Sequence, residues 1–233
     1  MNTQSFLFGT VLLVILIDSC IALYKYKNLP LALKAAAWFL ILVFIKQTAI
    51  LVLLYQKQNN FFLFHIGVVT DAVPLLLMYR EMFKKHIEEK EVYVYRKIFV
   101  ILVVFFVVFA VVNALFWQPL TIYPSITRTT LNIVILLFST LHFYKYTYEP
   151  IPKEPSEIKD YVNSRVPLFW INTGLQFFST ATLILSIFGD VFLKSRKLVA
   201  SGVDTPTVHA IFAIVLYTLI GLAFIKAKKL RNK

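Results

Sequence analysis

Seven apolar stretches, each about as long as a bilayer is thick, account for most of this 233-residue chain. A membrane-spanning α-helix needs about 20 mainly apolar residues in a row, because the hydrocarbon layer is ~30 Å thick and each residue adds ~1.5 Å. The stretches lie at about residues 5–24, 36–55, 61–80, 98–116, 126–144, 166–189 and 208–226. The sequence therefore predicts an all-α membrane protein, a bundle of seven transmembrane helices that forms a single domain over residues 1–233.

The composition supports a chain that resides in a lipid bilayer. Hydrophobic residues make up 59% of it and charged residues only 15%, whereas soluble domains contain about 25% charged residues. No lysine or arginine precedes the first stretch, so the basic start of a cleaved signal peptide is missing. We expect the first stretch to remain in the mature protein as a transmembrane helix.

Lysine and arginine are concentrated on one side of the predicted membrane. Of the 24 such residues, 18 lie after the first, third and fifth stretches or in the C-terminal tail, 5 lie on the opposite side, and Lys46 lies inside the second stretch. Short loops rich in positive charge stay in the cytoplasm. We therefore expect an external N-terminus and a cytoplasmic C-terminus. The net charge of +12 then faces anionic lipid headgroups, and nucleic acid is not expected as a partner.

Charged residues inside the apolar stretches predict a buried polar centre. Asp71 lies near the middle of the third stretch and Lys46 near the middle of the second, so two antiparallel neighbours would bring them to one depth. An intramembrane carboxylate costs about 2.5–3.5 kcal/mol and needs a partner. Asp18, about one turn nearer the cytoplasm, is expected to share the lysine. Pro74 removes the amide that would bond the Thr70 carbonyl. The centre is either an ion pair that fixes helix packing or a working proton, ion or ligand site.

Polar side chains also recur on one face of the fifth and sixth stretches. At ~100° per residue, these faces carry Arg128, Asn132, Ser139 and His142 on the fifth and Asn172, Gln176, Ser179 and Ser186 on the sixth. Polar residues in membrane helices usually face other helices. The faces therefore predict either hydrogen-bonded packing or a pocket open to the outside. The residues expected to line such a pocket are His65, Thr70, Asn132, Asn172 and Gln176.

Catalytic and metal-binding patterns are missing from the sequence. The chain contains no GxSxG, GxxxxGK[ST], GxGxxG, HExxH or CxxC pattern, so we expect neither enzymatic activity nor a cofactor. His65 and His209 both fall near the outer ends of their stretches, and they are the two histidines to consider as metal or haem ligands. The alternative is that both histidines bind no metal and only pack against neighbouring helices. The connection at 145–165 contains three prolines and is expected to be extended and exposed.

A resemblance appears in the sixth and seventh stretches. The run VPLFWINTG at 166–174, the following Phe177, Phe178 and Ser179, and His209 at the start of the last helix resemble the seven-helix membrane modules of Bacteroidota that stand alone or precede sensor histidine kinases. The resemblance implies a multi-pass protein of the cell inner membrane with a role in signal transduction.

Two functions therefore remain open at the level of sequence. The first is an integral membrane sensor or signal-transducing subunit without its own catalytic domain, acting with a cytoplasmic signalling protein such as a histidine kinase. The second is a small transporter or an ion- or proton-conducting protein that uses Asp18, Lys46 and Asp71.

Overall fold

The computed structural model describes residues 3–84, 92–148, 155–194 and 205–227. These residues form seven long α-helices: α1 (Thr3–Lys25), α2 (Leu31–Tyr55), α3 (Phe61–Lys84), α4 (Val92–Val112), α5 (Ser125–Tyr148), α6 (Pro155–Lys194) and α7 (Thr205–Lys226). A short 3-10 helix, Tyr26–Asn28, follows α1, and a π-helix, Asn113–Trp117, continues α4. No β-strand occurs in the described part of the chain. All seven helices contain a segment long and apolar enough to cross a membrane, so the predicted all-α, multi-pass class is confirmed.

Three helices begin five or more residues before their predicted starts at 36, 98 and 166: α2 at Leu31, α4 at Val92 and α6 at Pro155. Helix α2 starts at Leu31, five residues before the predicted start at 36, because the sequence after Pro30 is rich in alanine and leucine, which favour helix strongly. Helix α5 continues to Tyr148 and helix α6 starts at Pro155, so the expectation of an extended connection is wrong for residues 145–148 and 155–165. Proline is favoured at the first position of a helix, where its missing amide has no intrahelical partner. The rest of the predicted connection, at 149–154, lies outside the described residues.

The helices group into two compact units. The unit formed by the middle of the sequence, here called the central unit, comprises Tyr26–Leu131, and the unit formed by its two ends, here called the flanking unit, comprises Met1–Lys25 with Asn132–Lys233; both names refer to position in the sequence. The boundary falls within α5, so the first two turns of this helix belong to the central unit and the remainder to the flanking unit.

The central unit has α3 at its middle, packed against α2 on one side and α4 on the other. Its largest fully buried side chains are Leu33, Leu40, Ile50, Met78, Tyr79, Phe106 and Leu131. Near one end of the α3–α4 pair, the Tyr95 hydroxyl donates to the Arg80 carbonyl at 2.8 Å. This bond ties the start of α4 to the last turns of α3.

The flanking unit has α7 at its middle, packed against α1 and α6. A Cβ atom built on Gly174 of α6 would lie 3.2 Å from the Leu216 carbonyl oxygen and 3.3 Å from Leu219 Cβ of α7. Small residues let membrane helices approach this closely, which increases their van der Waals contact. At the other contact, the Lys25 ammonium of α1 donates to three carbonyls at the end of α7.

Candidate functional site

Lys46 and Asp71 meet in the central unit because the α2–α3 hairpin sets them at the same depth. Lys46 lies nine residues before the end of α2, and Asp71 lies ten residues after the start of α3. The Lys46 ammonium donates to both carboxylate oxygens of Asp71, with 2.7 Å from Nζ to each. The ion pair expected from the sequence is thus present, and only 3% of the Asp71 side chain is exposed.

Arg128 is the third member of this group. It lies in the first turn of α5, and its guanidinium donates to Asp71 Oδ2. The sequence alone places Arg128 in two ways. The helical pattern puts it on the polar face of the fifth stretch, whereas the comparison of lysine and arginine on the two sides of the membrane counts it in an outer connection. The charge cluster, defined as Lys46, Asp71 and Arg128, therefore joins α2, α3 and α5 through one shared carboxylate.

Gly67 makes the room that Lys46 needs to reach Asp71. It lies one turn before Asp71 on α3, and a Cβ atom built there would lie 2.7 Å from Lys46 Cδ and 3.2 Å from Nζ. The lysine side chain thus crosses α3 at a position without a side chain of its own. Thr70, on the same helix, donates from Oγ1 to the Gly67 carbonyl at 3.2 Å. Helix α3 continues through Pro74, whose missing amide leaves the Thr70 carbonyl without its usual intrahelical bond.

The charge cluster holds two cations and one carboxylate, which gives it a formal net charge of +1. Two cations contact Asp71. If either cation moves away, the carboxylate remains paired with the other. Breaking a buried pair by removing one partner typically costs about 3–5 kcal/mol, because the remaining charge is uncompensated. Sharing the carboxylate lowers that cost for either cation alone.

His65 lies on α3 of the central unit and binds the connection between the π-helix and α5. Its Nε2 lies 2.9 Å from the Ile122 carbonyl oxygen. A carbonyl only accepts, so the bond places the ring proton on Nε2. His65 Nδ1 is buried and has no hydrogen-bond partner among the described residues. The ring therefore anchors this connection through Nε2.

The same connection is held by Gln118. Its side-chain oxygen accepts from the Ile126 amide at 3.1 Å and from Asn113 Nδ2 at 3.2 Å, and its amide donates to Ser125 Oγ at 2.7 Å. The start of α5 is thereby capped by a residue outside the helix. This fixes the first turn of α5, from which Arg128 reaches the charge cluster.

Asp18 lies in the flanking unit, on α1. It is 5% exposed, and its Oδ2 is buried without a hydrogen-bond partner within the described ranges. Gly221 of α7 faces it so closely that a Cβ atom built there would lie 2.1 Å from Asp18 Oδ1. The expectation that Asp18 shares Lys46 stays a prediction, because these two residues belong to different units.

Three of the residues expected to line a pocket lie in the flanking unit. Asn172 Nδ2 donates to the Ser139 carbonyl at 3.1 Å, and the Ser139 hydroxyl lies 3.3 Å from the Asn172 carbonyl oxygen and 3.4 Å from Gln176 Oε1. Asn132 Nδ2 is buried and has no partner among the described residues. These bonds join α5 to α6, as the hydrogen-bonded packing alternative requires. The pocket itself stays a prediction, since His65 and Thr70 belong to the central unit.

The two histidines considered as metal ligands have other contacts. His65 binds the Ile122 carbonyl, and the His209 ring packs edge-on against Phe178 with 5.1 Å between ring centroids. Over the described ranges there is no group of three or more His, Cys, Asp or Glu side chains that could hold a metal ion.

No protein-family model, curated protein or solved structure matches this chain.

Proposed function

We propose that this protein is a membrane sensor or signal-transducing subunit whose responsive element is the charge cluster. The observation that carries the proposal is that Asp71 of α3 is bound at once by Lys46 of α2 and by Arg128 of α5. A rearrangement of α2 or α5 changes which cation holds the carboxylate. Movement of one helix is thereby coupled to the position of the other two.

An ion-pair network of this kind is better suited to switching between two helix arrangements than to conducting protons or ions. Packed groups have a few discrete arrangements and do not deform continuously, so a small shift at one site is converted into a different packing. A ligand can shift such an equilibrium by as much as its affinity differs between the two arrangements. The shared carboxylate keeps the energy gap between arrangements small, because Asp71 remains paired in each.

The proposed partner is a cytoplasmic signalling protein such as a histidine kinase. The basic connections and tail give the predicted inner face a positive surface that an acidic partner can bind. The segment 166–174 and His209 resemble seven-helix modules of Bacteroidota that stand alone or precede sensor histidine kinases, which is consistent with this role. The proposal places the protein in the cell inner membrane, with the N-terminus outside and the C-terminus in the cytoplasm.

Photo-crosslinking in intact cells tests this proposal. A photoreactive amino acid replaces Lys84, at the end of α3, and separately Lys57, at the opposite end of the α2–α3 hairpin; both side chains are exposed. We expect position 84 to capture a cytoplasmic signalling protein and position 57 not to. We also expect Asp71→Asn to change the yield of the adduct, because it removes the charge that both cations share.

Two results would overturn the proposal. Capture of the same proteins from both positions would show that no partner binds selectively at the predicted inner face. An adduct whose yield is the same in Asp71→Asn as in the wild-type chain would show that the charge cluster does not control the partner.

Proton or ion conduction is the second candidate function, and Asp18 is the observation that favours it. Ionisable residues within membrane helices commonly mark ion and proton pathways, and the Asp18 carboxylate is buried with one oxygen unpartnered over the described residues. The test is proton flux into liposomes that contain the purified protein. Flux above that of empty liposomes, abolished by Asp18→Asn, would favour conduction over sensing; flux equal to that of empty liposomes would exclude it.

A further inference from the structure

A shallow groove on the surface of α4 combines two cations with apolar walls. It has a volume of about 370 Å³ and is lined by Tyr93, Arg96, Lys97, Val100 and Ile101. All five side chains are exposed. The Lys97 ammonium lies 4.3 Å from the centre of the Tyr93 ring. This cation–π contact holds the positive charge at the rim of the groove.

The position of the groove along α4 matches the boundary between headgroups and acyl chains. The part of this helix that is long and apolar enough to cross a membrane is Tyr93–Trp117. Arg96 and Lys97 lie in its first turns, and Val100 and Ile101 lie about one turn further along it. Tyrosine is enriched at this boundary because its ring is amphipathic. The groove therefore offers positive charge at headgroup level and aliphatic surface immediately below it.

The charge of the groove selects an anionic occupant. None of its lining residues is acidic, and Glu81 of α3 lies 3.6 Å from the Arg80 guanidinium. Arginine binds phosphate oxygens in a bidentate manner, and lysine binds them as a compact charge. A phosphate with a hydrocarbon chain attached satisfies both parts of the groove, whereas a soluble phosphate or an acidic peptide leaves Val100 and Ile101 exposed.

We propose that this groove is a binding site for an anionic phospholipid, with the phosphate on Arg96 and Lys97 and one acyl chain along Val100 and Ile101. The proposal is independent of the signalling role, because no member of the charge cluster lines the groove. It assigns α4 a lipid-binding function in addition to its packing against α3.

Native mass spectrometry of the detergent-purified full chain measures this binding directly. Dioleoylphosphatidylglycerol and dioleoylphosphatidylcholine are titrated separately against the wild-type chain and against the Arg96→Gln/Lys97→Gln variant. A lysine or arginine that lies beside the bound anionic headgroup contributes about a fivefold gain in affinity. We therefore expect the double variant to bind the first phosphatidylglycerol roughly 25-fold more weakly than wild type, with little change for phosphatidylcholine.

A charge-matched control separates this site from general attraction to a basic protein. Lys57→Gln/Lys226→Gln removes the same charge from two exposed positions outside the groove and is expected to bind phosphatidylglycerol like wild type. Arg96→Lys keeps the charge and should keep the preference for phosphatidylglycerol. Equal losses in the two double variants, or equal binding of both lipids by wild type, would overturn the proposal. Displacement of the lipid by glycerol phosphate at the concentration of the lipid itself would instead identify a soluble-phosphate site, which also contradicts it.

Discussion

Lys46 crosses α3 over Gly67, and the absence of a side chain at Gly67 is what allows the ammonium to reach Asp71. A Cβ atom at position 67 would lie 2.7 Å from Lys46 Cδ, closer than two carbon atoms can pack. The lysine then makes two bonds of 2.7 Å to the carboxylate. The glycine is therefore part of the geometry of the charge cluster although it carries no charge.

Gly67→Ala should destabilise the protein for this reason. The added methyl group forces the end of the Lys46 side chain to move and weakens its bonds to Asp71, and overpacking of this kind costs about 1–3 kcal/mol. Thermal unfolding in detergent measures the effect. Gly9→Ala is the matched control, because a Cβ atom at position 9 meets nothing within 4 Å; it should leave stability unchanged or raise it by about 0.5–1 kcal/mol. Equal changes in the two variants would contradict this account.

Gly221→Ala should disturb Asp18 in the same way. A Cβ atom there would lie 2.1 Å from Asp18 Oδ1, and we expect a loss of about 1–3 kcal/mol in the free energy of unfolding. In an Asp18→Ala background the same substitution should cost little, since the carboxylate that it meets is gone. The two single variants and the double variant are compared by thermal unfolding. A cost of Gly221→Ala that is independent of residue 18 would show that the two positions do not contact each other.

The seven helices and the Lys46–Asp71 pair were predictable from the sequence for physical reasons. A stretch of about 20 apolar residues can satisfy its backbone in lipid only as a helix. The connection at 56–60 is too short for α2 and α3 to be anything but neighbours, so equal distances from it give equal depth. Depth and opposite charge together were enough to pair Lys46 with Asp71.

The contributions of Arg128 and the two glycines were not predictable in this way. Arg128 is the third residue of its apolar stretch, where a residue counts equally well as a loop charge or as part of the helix. Its place on the polar face with Asn132 was the available signal, but that signal does not say which helix is the neighbour. Gly67 and Gly221 act only through the side chains opposite them, Lys46 and Asp18, and these contacts depend on tertiary packing.

Lys25 caps the end of α7, and its removal should loosen that end. Its ammonium lies 2.8 Å from the Phe224 and Ile225 carbonyl oxygens and 3.1 Å from that of Ala227. The last carbonyls of a helix have no intrahelical donor, and cations stabilise helix C-termini. Lys25→Met should cost about 1.5–3 kcal/mol and speed hydrogen exchange of the amides in the last turn of α7. Lys27→Met, which removes an exposed lysine nearby, is the control, and similar exchange in both variants would contradict the cap.

The orientation of the chain in the membrane is a separate prediction, based on the distribution of lysine and arginine. A reporter fused after Lys233 should behave as cytoplasmic, and one inserted at Ser201 should behave as external, because the positively charged connections stay inside. Paired reporters that are active only on opposite sides of the membrane, such as alkaline phosphatase and a fluorescent protein, measure both positions. The reverse pattern would refute the predicted orientation.

The shared carboxylate predicts that the two cations of the charge cluster contribute non-additively. Lys46→Met leaves Asp71 on Arg128, and Arg128→Gln leaves it on Lys46, so each single variant should lose modest stability. The double variant removes both cations that contact the buried carboxylate. Its loss should exceed the sum of the single losses by roughly 0.5–3 kcal/mol, the usual range for coupled neighbours.

Adding Asp71→Leu to that double variant should recover much of the lost stability, because it removes the buried carboxylate that the double variant leaves without a cation. Unfolding by heat and by denaturant in one detergent compares the single, double and triple variants, with Lys57→Met as an exposed lysine outside the cluster. Strictly additive losses would show that the two cations do not share Asp71. A triple variant as unstable as the double would show that residue 71 is not the source of the penalty.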